Sequence, residues 1–213
     1  MEEFDYETGR LLDALEELGL SKNTLVIYTS DNGPWNQDKY TKNKKGHPKE
    51  SIFWGSSGPL RNGKGSCYEG GYRLPCIVRW PGKVPAGRQS DAVFATIDFM
   101  PTFAHLSDFK VPADRVIDGI DQTDLLLGKS ETGRETFYFD RAGIRKGKWK
   151  YLKAKAHFYG YAREDDRPVE EELYDLEKDL GETTNLAKKH PNVVVELRKL
   201  TEDLPTYRPD ERR

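Results

Sequence analysis

Thr24-Leu25-Val26-Ile27-Tyr28-Thr29-Ser30-Asp31-Asn32-Gly33-Pro34 sets an unbroken apolar run directly before a carboxylate, an amide and a turn. A run without alternation is the pattern of a strand buried on both faces, as in a parallel sheet flanked by helices. Open α/β sheets bind their ligands beyond the carboxyl ends of such strands. Asp31 and Asn32 therefore stand where a site is expected, and they offer two hard oxygen donors suited to calcium or magnesium. Calcium takes about 6–8 oxygens, so two neighbours make at most part of a metal site. Asp-Asn-Gly is equally a plain turn sequence, and on these residues alone both readings stand.

Upstream, Phe4, Leu11, Leu15 and Leu18 recur at helical spacing among Glu2, Glu3, Asp5, Glu7 and Arg10, and Gly19 closes an amphipathic helix. Downstream, residues 35–57 form a long polar stretch with Lys39, Lys42, Lys44, Lys45, His47 and Lys49. A stretch of this length without periodicity reads as a substrate-facing loop, with His47 the histidine able to meet a substrate. Gly55, Gly58, Gly63, Gly65, Gly70 and Gly71 then mark irregular backbone bent around a ligand. Residues 76–80 read as a second strand, and Ile97-Asp98-Phe99-Met100-Pro101 as a helix start that turns Phe103, Ala104 and Leu106 inward, with His105 in the core. After a polar stretch at 128–134 the signals become short strands at 136–140, 149–152 and 172–176. A last helix opens at Pro191, with Val193, Leu197, Leu200 and Leu204 on one face. The expected organisation is an α/β domain over residues 1–130 and a small α+β domain over 131–213, an antiparallel sheet packed on the C-terminal helix.

The 213 residues carry 34 Lys plus Arg against 36 Asp plus Glu, a formal charge of −2 that leaves no electrostatic footprint for nucleic acid or an anionic membrane. The two cysteines, Cys67 and Cys76, form neither a C-x-x-C pair nor a recognisable nucleophile setting, and the four histidines are isolated, so zinc has no support. Gly58-Pro59-Leu60-Arg61-Asn62-Gly63-Lys64 matches the start of the phosphate loop G-x-x-x-x-G-K-[ST]. Gly65 stands where Ser or Thr must hold magnesium, which excludes the nucleotide loop. Lys64 is kept as an anion-binding cation, with a solvated surface lysine as the alternative.

Taken together, these segments resemble the sulfatase family, of the arylsulfatase type within the alkaline phosphatase-like superfamily. The helix Gly9-Arg10-Leu11-Leu12-Asp13-Ala14-Leu15 leading to Thr24–Pro34 is similar to that family's second metal-ligand segment. Leu60-Arg61-Asn62-Gly63-Lys64-Gly65-Ser66-Cys67-Tyr68-Glu69-Gly70-Gly71-Tyr72-Arg73-Leu74-Pro75 resembles its second signature. Trp80-Pro81-Gly82, Asp98-Phe99-Met100-Pro101-Thr102 and Asp118-Gly119-Ile120-Asp121 continue the likeness in order. Gly147-Lys148-Trp149-Lys150, Glu172-Leu173-Tyr174-Asp175-Leu176 and Glu182-Thr183-Thr184-Asn185-Leu186 resemble its C-terminal domain.

The resemblance implies the C-terminal part of an alkaline phosphatase-like α/β fold with its parallel sheet. It also implies calcium (Ca2+) held by Asp31 and Asn32, and a sulfate oxygen held by Lys64. The implied substrate is an aryl or carbohydrate sulfate ester, and the implied location is periplasmic, extracellular or lysosomal. The family nucleophile is a formylglycine made within C/S-x-P-x-R. Cys67 leads Tyr-Glu-Gly-Gly and Cys76 leads Ile-Val-Arg-Trp, so neither fits. The nucleophile is therefore expected upstream of the segment matched here, and the chain alone is expected to be inactive. Two other readings remain open: a non-catalytic remnant or module that binds sulfated glycans, and a phosphoryl-transfer member of the superfamily.

Overall fold

The computed structural model describes residues 2–35, 55–156 and 168–202, which group into two compact units. The first contains residues 1–29 and 75–134, the second residues 30–74 and 135–213. Among the described residues no helix is long and apolar enough to cross a membrane.

In the first unit, α1 (Glu2–Glu17) places Glu2, Glu3 and Asp5 in its first turn, where the helix dipole favours carboxylates. It ends where the Leu20 N–H reaches the Leu15 carbonyl at 2.9 Å and the Gly19 N–H the Glu16 carbonyl at 3.0 Å, the paired bonds of a glycine-terminated helix. None of its residues is buried, and Phe4 touches Tyr28 edge-on at 5.7 Å. The expected apolar run becomes β1 (Val26–Thr29), which pairs with β2 (Cys76–Arg79). That pairing is antiparallel, Val26 opposite Arg79 and Thr29 opposite Cys76, and β1 is only half-buried. This corrects the parallel sheet expected for it. An unbroken apolar run reports a strand that needs cover on two faces; its direction relative to a neighbour is set by the connection.

The same unit is organised around a buried carboxylate. A 3₁₀ turn, Thr96–Asp98, leads into α3 (Phe99–Leu106), and α4 (Thr123–Leu126) follows. Asp98, with none of its surface exposed, accepts the N–H groups of Ala95 and Ile120 at 2.9 Å, the Gln122 amide at 3.0 Å and the Arg134 guanidinium. Four residues on, Thr102 Oγ1 accepts the Gln122 N–H at 3.0 Å. Asp98 and Thr102 share one helical face, and that face turns inward. Phe103 is consequently exposed rather than inward as expected, stacking on Phe99 at 5.3 Å. His105 is likewise exposed, paired with Asp121, and so lies outside the core to which its apolar neighbours had assigned it. Here hydrogen-bond demand at two positions overrides apolar periodicity.

In the second unit, β3 (Thr136–Phe139), β4 (Gly143–Lys146), β5 (Trp149–Leu152) and β6 (Glu172–Asp175) form an antiparallel meander in chain order. The strand β4 was not foreseen, because Gly-Ile-Arg-Lys carries one apolar residue. The helix α5 (Pro191–Glu202) covers one face as expected: Leu197 is buried with Val194 on Ile144, Tyr151 and Leu173, Val193 and Leu200 pack beside them, and Leu204 lies outside the described residues. Phe139, Leu152 and Tyr174 on the opposite face pack against Cys67 and Tyr68. Just beyond, α2 (Glu69–Tyr72) supplies one helical turn within the stretch expected to be irregular, and its Tyr72 meets Phe139 edge-on at 5.0 Å. The sheet is therefore covered on both sides.

Lys150 belongs to the face that meets residues 67–72, since it alternates with Trp149 and Tyr151 along β5. Its side chain is wholly buried, with the ammonium 2.9 Å from Glu69 Oε1 and 2.8 Å from Glu182 Oε1. Removing one partner of a buried ion group leaves uncompensated charge, at a cost of about 3–5 kcal/mol. Lys150→Met is expected to destabilise this unit by that amount, measured as faster exchange of the β5 amides in native-state hydrogen exchange; a loss below about 1 kcal/mol would contradict the assignment.

The Asp98 carboxyl would be raised by burial, but the bonds from Arg134, Ile120, Ala95 and Gln122 outweigh that and hold it below the usual carboxylate range. A depressed folded-state value means stability that is present at neutral pH and lost as pH falls through that value. Acid titration of the first unit's thermal midpoint should show this loss, and Asp98→Asn should flatten the profile below the usual carboxylate range.

Candidate functional site

Three of the four residues singled out for binding lie among the described residues, and all three belong to the second unit. Asp31 is exposed and Asn32 half-buried just after β1, while Lys64 is half-buried in the glycine-rich loop. His47 lies outside the described residues. The backbone joins the two segments twice. The Gly33 N–H donates to the Gly71 carbonyl at 3.0 Å, and the Lys64 N–H donates to the Pro34 carbonyl at 2.9 Å. Asp31–Asn32 and Lys64, some thirty positions apart in sequence, are thereby held on adjoining lengths of chain.

Glycine makes this approach possible. A Cβ on Gly33 would fall 1.8 Å from the Gly70 carbonyl oxygen, and one on Gly70 would fall 2.1 Å from that of Asn62. No side chain fits in either place, so the loop can close only with hydrogen at these positions. The loop around Lys64 is further fixed by Ser57 Oγ, which donates to the Asn62 carbonyl at 2.8 Å, and by the Gly70 N–H, which donates to Arg61 O at 2.9 Å. Asn62 takes a left-handed backbone (φ 57°), a conformation that Asn tolerates better than most residues. The local order is Ser30 Oγ donating to the Asn32 carbonyl at 3.1 Å, with the Asp31 carboxylate 3.4 Å from the same hydroxyl.

Behind the loop stands a polar assembly that sequence reasoning did not single out. The Glu69 N–H donates to Glu182 Oε2 at 2.7 Å, and its carboxylate binds Lys150. The Tyr68 hydroxyl donates to Glu172 at 2.8 Å, and the Arg61 guanidinium lies 3.7 Å from the centre of the Tyr68 ring. Arg61 also donates to the Tyr174 hydroxyl at 2.8 Å and the Glu182 carbonyl at 3.0 Å. Burial lifts the Glu182 carboxyl above the usual range, Lys150 pulling the other way. The available sequence signal was a charged residue inside Trp149-Lys150-Tyr151-Leu152, on the same strand face as Leu152.

Chemically, Asp31 and Asn32 match calcium in kind, as hard oxygen donors, and fall short of it in number. Among the described residues no group of three or more His, Cys, Asp or Glu could hold a metal. Cys67 is no nucleophile: burial pushes its thiol up to about 12, so almost none is thiolate at neutral pH.

Comparison with known proteins gives this geometry its context. Residues 1–109 match the sulfatase family model, and residues 63–208 match that of the N-sulphoglucosamine sulphohydrolase C-terminal region. An N-acetylgalactosamine-6-O-sulfatase of Bacteroides thetaiotaomicron is 37% identical over 96% of this chain and 40% of its own length. Human arylsulfatase A is 34% identical over 93% of this chain and 41% of its own length. A solved B. thetaiotaomicron structure, from work on glycosaminoglycan metabolism, superposes with a TM-score of 0.75 at 35% identity, covering 93% of this chain and 42% of that one. The chain thus spans about two fifths of the length of the relatives it matches. With family models covering both its halves and this likeness running through nearly all of its length, the chain belongs to the sulfatase family.

Proposed function

We propose that the chain forms the metal- and sulfate-binding side of a sulfuric ester hydrolase that removes sulfate from a carbohydrate or aryl sulfate ester. The observation that supports this reading is the double backbone link, Gly33 to Gly71 and Lys64 to Pro34, which joins the chain that carries Lys64 to the chain just after Asp31 and Asn32. Asp31 and Asn32 would hold part of a calcium shell completed by other groups, and calcium bound there would act as a Lewis acid on sulfate oxygens. Lys64 would donate to a sulfate oxygen and offset the charge that grows on it as the S–O bond breaks. His47, which lies outside the described residues, would meet the remainder of the substrate. The similarity to an enzyme named for a sulfated N-acetylgalactosamine supports a sulfated carbohydrate as the substrate class. Neither Cys67 nor Cys76 heads a C-x-P-x-R; Ser57-Gly58-Pro59-Leu60-Arg61 fits S-x-P-x-R by letter, but the Ser57 hydroxyl donates to the Leu60 and Asn62 carbonyls within the glycine-rich loop, and the reading assigns the formylglycine nucleophile to another part of the full protein.

The test begins with the reading frame upstream of residue 1, where an in-frame C/S-x-P-x-R segment is expected. The full open reading frame should then release sulfate from N-acetylgalactosamine 6-sulfate or an aryl sulfate in a calcium-dependent manner. Lys64→Ala should lower kcat/KM by about 10²-fold, the scale of removing one preorganised donor from a developing anion. Asp31→Asn should weaken calcium binding, read directly by calorimetry. The 213-residue chain alone is expected to give no turnover, and clear calcium-dependent hydrolysis by it would contradict that part. An upstream stop codon together with retained binding of a sulfated glycan would instead favour a non-catalytic binding role.

A further inference from the structure

The small C-terminal sheet does more to the Lys64 loop than pack against it. Four polar contacts behind that loop come from β5, β6 and the chain after β6. Lys150 on β5 binds the Glu69 carboxylate at 2.9 Å, Glu172 and Tyr174 on β6 bind Tyr68 and Arg61 at 2.8 Å, and Glu182 accepts the Glu69 N–H at 2.7 Å. Tyr68 and Glu69 immediately precede Gly70 and Gly71, whose backbone carries the link to Gly33. Along the chain, the fixed points at Arg61 and at Tyr68–Glu69 bracket Lys64 on both sides.

We propose that Glu69, clamped by Lys150 and Glu182, is a positioning residue that sets where Lys64 stands relative to Asp31 and Asn32, so that the C-terminal sheet is the mount of the anion site. The proposal rests on Lys64 being the sulfate-binding cation. The physical reason is that the loop has no regular structure except α2, so its shape must be imposed by contacts. A buried ion group does this with directional bonds that an apolar contact lacks. Glu69 is buried and its own peptide N–H is engaged, so moving it would shift the Gly70–Gly71 backbone and with it the bond to Gly33.

The experiment is a titration of the 213-residue chain with inorganic sulfate, following the side-chain carbon shift of Lys64 by NMR well below the melting midpoint. The wild-type chain should show a saturable change at Lys64. Glu69→Ala should weaken that binding by about tenfold, the scale of losing a charge-assisted hydrogen bond, while Glu69→Gln, which keeps an oxygen on Lys150, should restore most of it. Tyr68→Phe removes one hydroxyl and keeps the ring; it should weaken binding about threefold and serves if Glu69→Ala does not fold. A merely structural role would lower the melting midpoint of Glu69→Ala and leave sulfate affinity at Lys64 unchanged, which would overturn the proposal while the functional reading stands. A wild-type chain with no saturable change at Lys64 would remove that functional reading and this inference with it.

Discussion

One ammonium group between two carboxylates is the buried contact around which the described part of the second unit is organised. Lys150 has no exposed surface, and stripping a charge of that size from water costs several kcal/mol even after relaxation. Glu69 and Glu182 return part of that cost only if they stay within hydrogen-bond range of the same nitrogen. The requirement fixes three pieces of chain at once: β5, α2 and the turn after β6. A second bond, from the Glu69 N–H to Glu182, leaves α2 little freedom to slide or rotate against the sheet. Burial is the main cause of the raised Glu182 carboxyl, and the Glu69 carboxylate beside the same ammonium adds to it. The Arg73 guanidinium 3.9 Å from Glu69 offsets part of that carboxylate's charge.

That arrangement also explains why a lysine occupies the middle of a strand between tryptophan and tyrosine. A sheet covered on one side alternates apolar and polar residues, and Lys150 would then mark the wet face. Here α5 covers the face of Ile144, Tyr151 and Leu173, while Cys67 and Tyr68 cover that of Phe139, Leu152 and Tyr174. With no wet face in the middle of the sheet, the polar position had to find its partners inside the protein.

The legibility of this chain in its sequence divides along the same physical line. Elements defined by local chemistry were readable: α1 with its closing Gly19, the run that becomes β1, the boundaries of β5, and the apolar stripe of α5. Where long-range polar contacts decide, the pattern misled. Phe103 and His105 looked inward by periodicity, yet Asp98 and Thr102 turned the helix so that their own hydrogen bonds could be made. The direction of β1 against β2 was equally hidden, since an apolar run carries no information about its neighbour's sense. Asp31, Asn32 and Lys64 could be proposed from residue type and motif. The groups behind them, Glu69, Lys150 and Glu182, could not, because each is an ordinary charged residue until the fold brings the three together.

The loop that carries Lys64, the proposed sulfate-binding cation, has no regular secondary structure apart from α2. A cation placed to meet a small tetrahedral group has to be held closely, because a misplacement of about 1 Å is costly in rate. Strands and helices supply that rigidity through their own ladders; a glycine-rich loop cannot. It obtains the same rigidity here from two sources that act on opposite sides. Toward Asp31 and Asn32, Gly33 and Gly70 let backbone press on backbone at distances no side chain permits. Toward the sheet, Arg61 and Tyr68 are fastened by partly buried hydrogen bonds and Glu69 by a buried ion contact. The close approach gives proximity without direction, and the bonds to the sheet give direction without bringing residues 31–34 and 61–71 together.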